Sequence, residues 1–194
     1  PSGRGYDGTD VPLLAARDGH TASLLPDGSV LLLGGAIVAD PRRPADFVAA
    51  AEIVRPGSPV SVFVPLPGGA GVRAGHTARV LQTGGRTLVY LYGGIVPAGG
   101  GVVLSGSVDA FEWTGSALRQ LTPEGGAGAF EPLTGHVQIP LIDGASRAVD
   151  AVAGGDVAFQ FVFTAPGANL PFNVDPRDAE ALATARTDAA GAPL

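Results

Sequence analysis

The sequence predicts an all-β fold: a β-propeller of four-stranded blades, about three of them present, forming an incomplete ring. Three observations carry this. Thirty glycines and seventeen prolines among 194 residues break the chain into short pieces, while 45% hydrophobic residues supply a core. Short apolar runs with strand chemistry alternate with turn residues throughout. The runs also recur with a period near sixty residues.

Three anchors set the register of the repeat. The first copy reads Arg17-Asp18-Gly19-His20-Thr21-Ala22, then Pro26-Asp27-Gly28 and Val30-Leu31-Leu32-Leu33-Gly34-Gly35. The second reads Arg73-Ala74-Gly75-His76-Thr77-Ala78, then Leu88-Val89-Tyr90-Leu91-Tyr92-Gly93-Gly94. The third is degenerate, with Leu133 in place of the arginine, then Gly135-His136-Val137 and Ala151-Val152-Ala153-Gly154-Gly155. All three histidines follow a glycine, at spacings of 56 and 60 residues; the second glycines of the pairs lie 59 and 61 apart.

Each copy divides into four predicted strands. The first covers about 20–25, 76–82 and 136–142, followed by a turn that Asp27-Gly28 marks most clearly. The second, at 29–33, 86–92 and 148–153, stops at the glycine pair, where bulky side chains are excluded and the backbone bends. The third covers 50–54, 107–113 and 157–163. The fourth covers 60–64, with counterparts near 118–121 and 170–174. Residues 11–15 read as the fourth strand of a preceding blade. Segment 178–186 has helix propensity but aligns with a linker, so loop or terminus is expected there. The blades run about 20–75, 76–135 and 136–194, after a remnant at 1–19. Stacking such sheets around an axis buries faces that none can bury alone.

These strings resemble bacterial kelch repeats, including those of the galactose-oxidase-like propeller group, over about residues 11–175. In that family the glycine pair ends the second strand and an acid near the third strand ties the blade together. The resemblance thus gives Gly34-Gly35, Gly93-Gly94 and Gly154-Gly155 the first role, and Glu52 and Asp109 the second. The last copy offers only Gln160. An enzyme of the galactose-oxidase type needs copper, tyrosine and histidine ligands and a cysteine-modified tyrosine. This chain has no cysteine, and its tyrosines are Tyr6, Tyr90 and Tyr92.

No catalytic constellation, cofactor motif or metal set emerges. His20, His76 and His136 are expected to bond locally at the start of each first strand, because equivalent positions on different blades converge only at the axis. Asp7-Gly8-Thr9-Asp10 and Asp143-Gly144 lack the spaced acids of a calcium loop. No carboxylate pair is distinguished from turn aspartates, and no nucleophile elbow is present. Trp113 is expected to pack between blades.

Charge excludes further classes. All twelve basic residues are arginine, and eighteen acids give a net charge of -6, which does not attract nucleic acid. Residues 1–120 carry nine acids and nine arginines, so the excess lies in the last third. No apolar stretch is long enough for a membrane-spanning helix. The loops at about 36–49 and 95–106 should emerge on one rim; the first carries the adjacent pair Arg42 and Arg43, a possible contact loop.

The chain begins without Met or a signal sequence, so a longer precursor or processed product is expected. Three units leave two open apolar faces, where closed rings need at least four blades. The sequence therefore points to a non-enzymatic scaffold or interaction module, with a protein partner, further blades or homo-oligomerisation completing the ring. The bacterial resemblance and the lack of lysine and cysteine point outside the cell or to its surface. The alternative is a segment of a carbohydrate-active or copper-oxidase-like enzyme whose catalytic residues lie elsewhere.

Overall fold

A computed structural model describes residues 11–121, 134–142, 148–154 and 157–163. The chain is all-β, with antiparallel sheets joined in sequence order. The first sheet contains β1 (Thr21–Leu24), β2 (Val30–Leu33), β3 (Ala50–Val54) and β4 (Ser61–Pro65) in that order. The second contains β5 (Thr77–Thr83), β6 (Arg86–Tyr92), β9 (Val108–Trp113) and β10 (Leu118–Gln120). Between β6 and β9 lies a separate hairpin of β7 (Ile95–Ala98) and β8 (Gly101–Leu104). The third sheet contains β11 (His136–Ile142), β12 (Ala148–Gly154) and β13 (Val157–Phe163). The expected fourth strand of that copy, near 170–174, lies outside the described residues, as do Gly155, Asp7–Asp10, Asp143-Gly144 and 178–186.

Local chemistry explains the strand ends. The turn after β1 closes when Asp27 accepts the Ser29 amide at 2.9 Å and Leu25 and Ser29 pair through their backbones. The long, β-branched and aromatic run of β6 is buried from Leu88 to Tyr92, as suits the middle of a sheet covered on both faces. Alternation then decides which neighbour each residue meets. One face of the first sheet offers Leu31, Leu33, Ile53 and Val64; the second sheet turns Val89, Leu91, Phe111 and Trp113 onto them. Trp113 therefore packs in the core that joins the two sheets.

Two expectations need correction. Residues 11–15 form no strand. Their backbone is held by side chains instead: the Leu14 amide donates to Glu52 Oε1 at 2.6 Å, and the Pro12 carbonyl lies 3.0 Å from the Ser61 hydroxyl. The segment at 95–106 is not a plain loop but the β7–β8 hairpin. Gly99 and Gly100 have φ of 55° and 86°, the left-handed pair that a two-residue turn between twisted strands requires.

Candidate functional site

The first strands of the three repeats, β1, β5 and β11, lie side by side. Between them runs a groove of about 340 Å3, lined in part by Thr21, Ser23, His76, Thr77, His136 and Val137. The sequence placed the histidines correctly at the strand starts, but not their partners. His76 Nε2 shares a hydrogen bond of 3.0 Å with Thr21 Oγ1 of the preceding sheet. His136 Nε2 does the same with Thr77 Oγ1, also at 3.0 Å. The expected local bonding is therefore corrected for His76 and His136, each of which reaches across a junction. The reason is that β5 lies directly beside both β1 and β11, so each strand start faces a threonine of its neighbour.

The glycine before each histidine repeats the contact in the backbone. The Gly75 amide donates to the Gly19 carbonyl at 2.8 Å, and the Gly135 amide to the Gly75 carbonyl at 3.4 Å. A third tie joins the first two sheets, where the Gly35 amide donates to the Arg73 carbonyl at 2.7 Å. The glycine pair is what admits this approach. A Cβ on Gly34 would stand 2.3 Å from the Arg73 carbonyl oxygen and 2.5 Å from His76 Cε1. Gly34 also has φ of +65°, so any side chain there would be strained as well as crowded. Gly93 and Gly94 repeat the conformation in the second sheet, with φ of 62° and 88°. In the third, Gly154 pairs with His136 across the β11–β12 ladder.

Within each of the first two sheets an arginine and an acid lock the second strand to the third. Arg17 donates to the Gly34 and Ala50 carbonyls and to Glu52 Oε2 at 3.0 Å, and both side chains are fully buried. Arg73 donates to the Gly93 and Ser107 carbonyls and to Asp109 Oδ2 at 2.6 Å. Glu52 and Asp109 thus each accept from the arginine that also holds the second and third strands of their sheet. Arg17 and Arg73 were visible in the repeated Arg-x-Gly-His string, yet only the structure reveals them as the partners of the acids. Burial lowers the Arg17 pKa, and the Glu52 carboxylate opposes that shift.

Burial acts on the histidines in the same direction. It pushes His76 down to about 3, with the Arg73 charge adding to the effect. His136 falls to about 4 through burial, partly offset by the Tyr92 carbonyl. Both imidazoles are therefore neutral at pH 7, the form that shares a hydroxyl hydrogen bond without importing charge. Among the described residues, no three His, Asp or Glu side chains come together as a metal set. Tyr90 and Tyr92 are buried inside β6 rather than facing the groove.

Arg42 and Arg43 are exposed and paired within their own loop. Arg42 bonds Asp40 at 2.5 Å, and Arg43 bonds Asp46 at 2.8 Å. Asp46 also accepts both arginine amides, which folds the loop into a tight turn at Pro44–Asp46. This loop and the β7–β8 hairpin meet through an apolar cluster of Ala36, Phe47 and Ala74 with Ile95 and Val102. Both insertions therefore emerge at one end of the sheets, as the sequence led us to expect.

No family model matches the chain, and no curated protein matches it. Among the described residues, no helix is long and apolar enough to cross a membrane.

Proposed function

We propose that this chain is a run of kelch-type propeller blades serving as a non-enzymatic scaffold or interaction module within a larger ring. The carrying observation is the junction itself. The same two contacts, glycine amide to glycine carbonyl and histidine to threonine, recur between successive sheets. Arg17, Glu52, Arg73 and Asp109 bond between strands, and His76 and His136 bond between sheets, which is the work of a scaffold. The paired insertions at one end offer the surface on which a protein partner is recognised. The kelch assignment brings with it the expectation of a place outside the cell or on its surface.

Stability in stacked repeats grows with the number of interfaces. A second copy of residues 73–132 inserted between Ala16 and Arg17 keeps the 60-residue histidine spacing seen from His76 to His136. Thermal unfolding of that extended chain should occur at a clearly higher Tm than that of the parent. An unchanged or lower Tm would sink the stacked-blade reading.

A further inference from the structure

The contact that joins the sheets leaves one face without its counterpart. In the second sheet, Ala78, Leu91 and Asp109 stand in register on the face that packs on the first sheet. The corresponding row in the first sheet is Ala22, Leu32 and Glu52, extended on β4 by Phe63. On this face Leu32 and Glu52 are buried, with Leu14 and Arg17 bonded to Glu52, but Leu24 is 69% exposed and Phe63 46% exposed. His20 sits on Gly35 as His76 sits on Gly94, each with its Cβ 3.0 Å from the position a glycine Cβ would take. Yet among the described residues no hydroxyl meets the His20 ring, whereas His76 and His136 each have a threonine.

We propose that this open face takes another four-stranded unit of the same repeat, one with threonine or serine directly after its Gly-His. This rests on the stacked-blade reading and names the partner that reading requires. The interface between the first two sheets supplies the template, because the open face is its continuation in register. The template also discriminates. A second copy of this chain, docking head to tail, would present its third unit, where Val137 stands in place of the threonine. Valine has the shape of threonine but no hydroxyl, so the imidazole of His20 would be covered without a hydrogen-bond partner. Heterologous self-association through this face is therefore disfavoured, and a unit unlike the third is selected.

The chain contains no cysteine, so Leu24→Cys introduces a single thiol whose alkylation rate reports cover of the face. Phe63→Cys provides a second probe, and Trp113 fluorescence verifies that each variant is folded. In the parent chain the thiol should react as an exposed one at every protein concentration. With residues 73–132 inserted before Arg17, its reaction should slow by about tenfold or more, as for a group that reacts only on local opening. Thr77→Val in the inserted copy alone should return about fivefold of that protection, the worth of one buried hydrogen bond.

Protection of the parent that grows with concentration would overturn the proposal in favour of a second copy. Protection independent of concentration would overturn it in favour of a covering segment of the chain itself. Equal protection by the threonine and valine inserts would also overturn it; if the Tm still rises, the stacked-blade reading survives that failure.

Discussion

The first and second sheets are built from the same repeat but solve its central problem with different security. Both use an arginine to hold the end of the second strand against an acid on the third. In the first sheet the pair is Arg17–Glu52, sealed from solvent on both sides. In the second it is Arg73–Asp109, whose shorter acid remains 21% exposed. Besides its arginine Glu52 accepts from the Leu14 amide and the Ser61 hydroxyl, whereas Asp109 accepts from the Gly71 amide. The first sheet, with a face left open, thus depends on a polar network closed by the residues that precede it. The second has a neighbouring sheet on either side of β5.

Substitutions that separate these two modes rank by size. Gly34→Val should be the most damaging, costing more than about 4 kcal/mol, because its Cβ collides with backbone of the second sheet. Gly57→Ala is the control: its φ is +72° but nothing lies within 4 Å, so only the left-handed strain of about 1 kcal/mol remains. Urea unfolding of both variants checks the contrast; equal losses would mean that conformation, not close approach, governs the pair.

Glu52→Ala should come next, at about 3–5 kcal/mol, since it strands a buried arginine. Asp109→Ala should cost less, about 2 kcal/mol, because water reaches that site. A reversed order in chemical denaturation would break the comparison of the two networks.

The apolar faces give a third test. Leu91→Ala removes a fully buried side chain at the junction and should cost about 2–5 kcal/mol. Leu24→Ala, on the open face, should cost under about 1 kcal/mol. Comparable losses would show that the first face is already covered.

Acid should weaken the junctions before it weakens either sheet. An unfolded histidine takes up a proton near pH 6.5, while His76 and His136 resist until about 3 and 4. The unfolded state therefore binds more protons as pH falls through this window, and stability drops. The slope should approach about 1.4 kcal/mol per pH unit per histidine between roughly pH 6 and 4. Above pH 7 the histidines contribute no pH dependence. His76→Gln should flatten the slope by about half over that range, measured by urea unfolding at stepped pH. Arg42→Ala lies at the bottom of the ranking, with no measurable shift in Tm, since its pair with Asp40 is exposed on both sides.

The strands were legible because their signals are local. The first strands, the second strands ending at glycine and the third strands all lie within a residue or two of where composition puts them. The hairpin at 95–106 was missed for a local reason too: Gly99-Gly100 between valine-containing runs is a two-residue turn signal, obscured by the poor variety of the segment. The misread strand at 11–15 failed differently. Val11-Pro12-Leu13-Leu14-Ala15 has strand composition, but Glu52 and Ser61, nearly forty or more residues away, take its polar groups.

The site shows the same division. The recurrence of Gly-His and Gly-Gly at one period marked the glycine and histidine anchors, whereas the acids Glu52 and Asp109 came from the resemblance to kelch repeats. Nothing in that recurrence says that Gly34 exists to let the Arg73 carbonyl approach, or that His76 reaches back to Thr21. Such contacts join positions a whole repeat apart. Spacing along the chain reports that they are equivalent, not that they touch.

What the sequence alone determined is the unit: its strands, its turns and the residues that recur within it, because hydrophobic period and turn chemistry act over a few residues. What only the tertiary structure decided is the partner of each anchor. Imidazole meets the hydroxyl of the neighbouring sheet, and arginine meets acid across strands, because burial leaves each polar group only those partners that packing brings within hydrogen-bond reach.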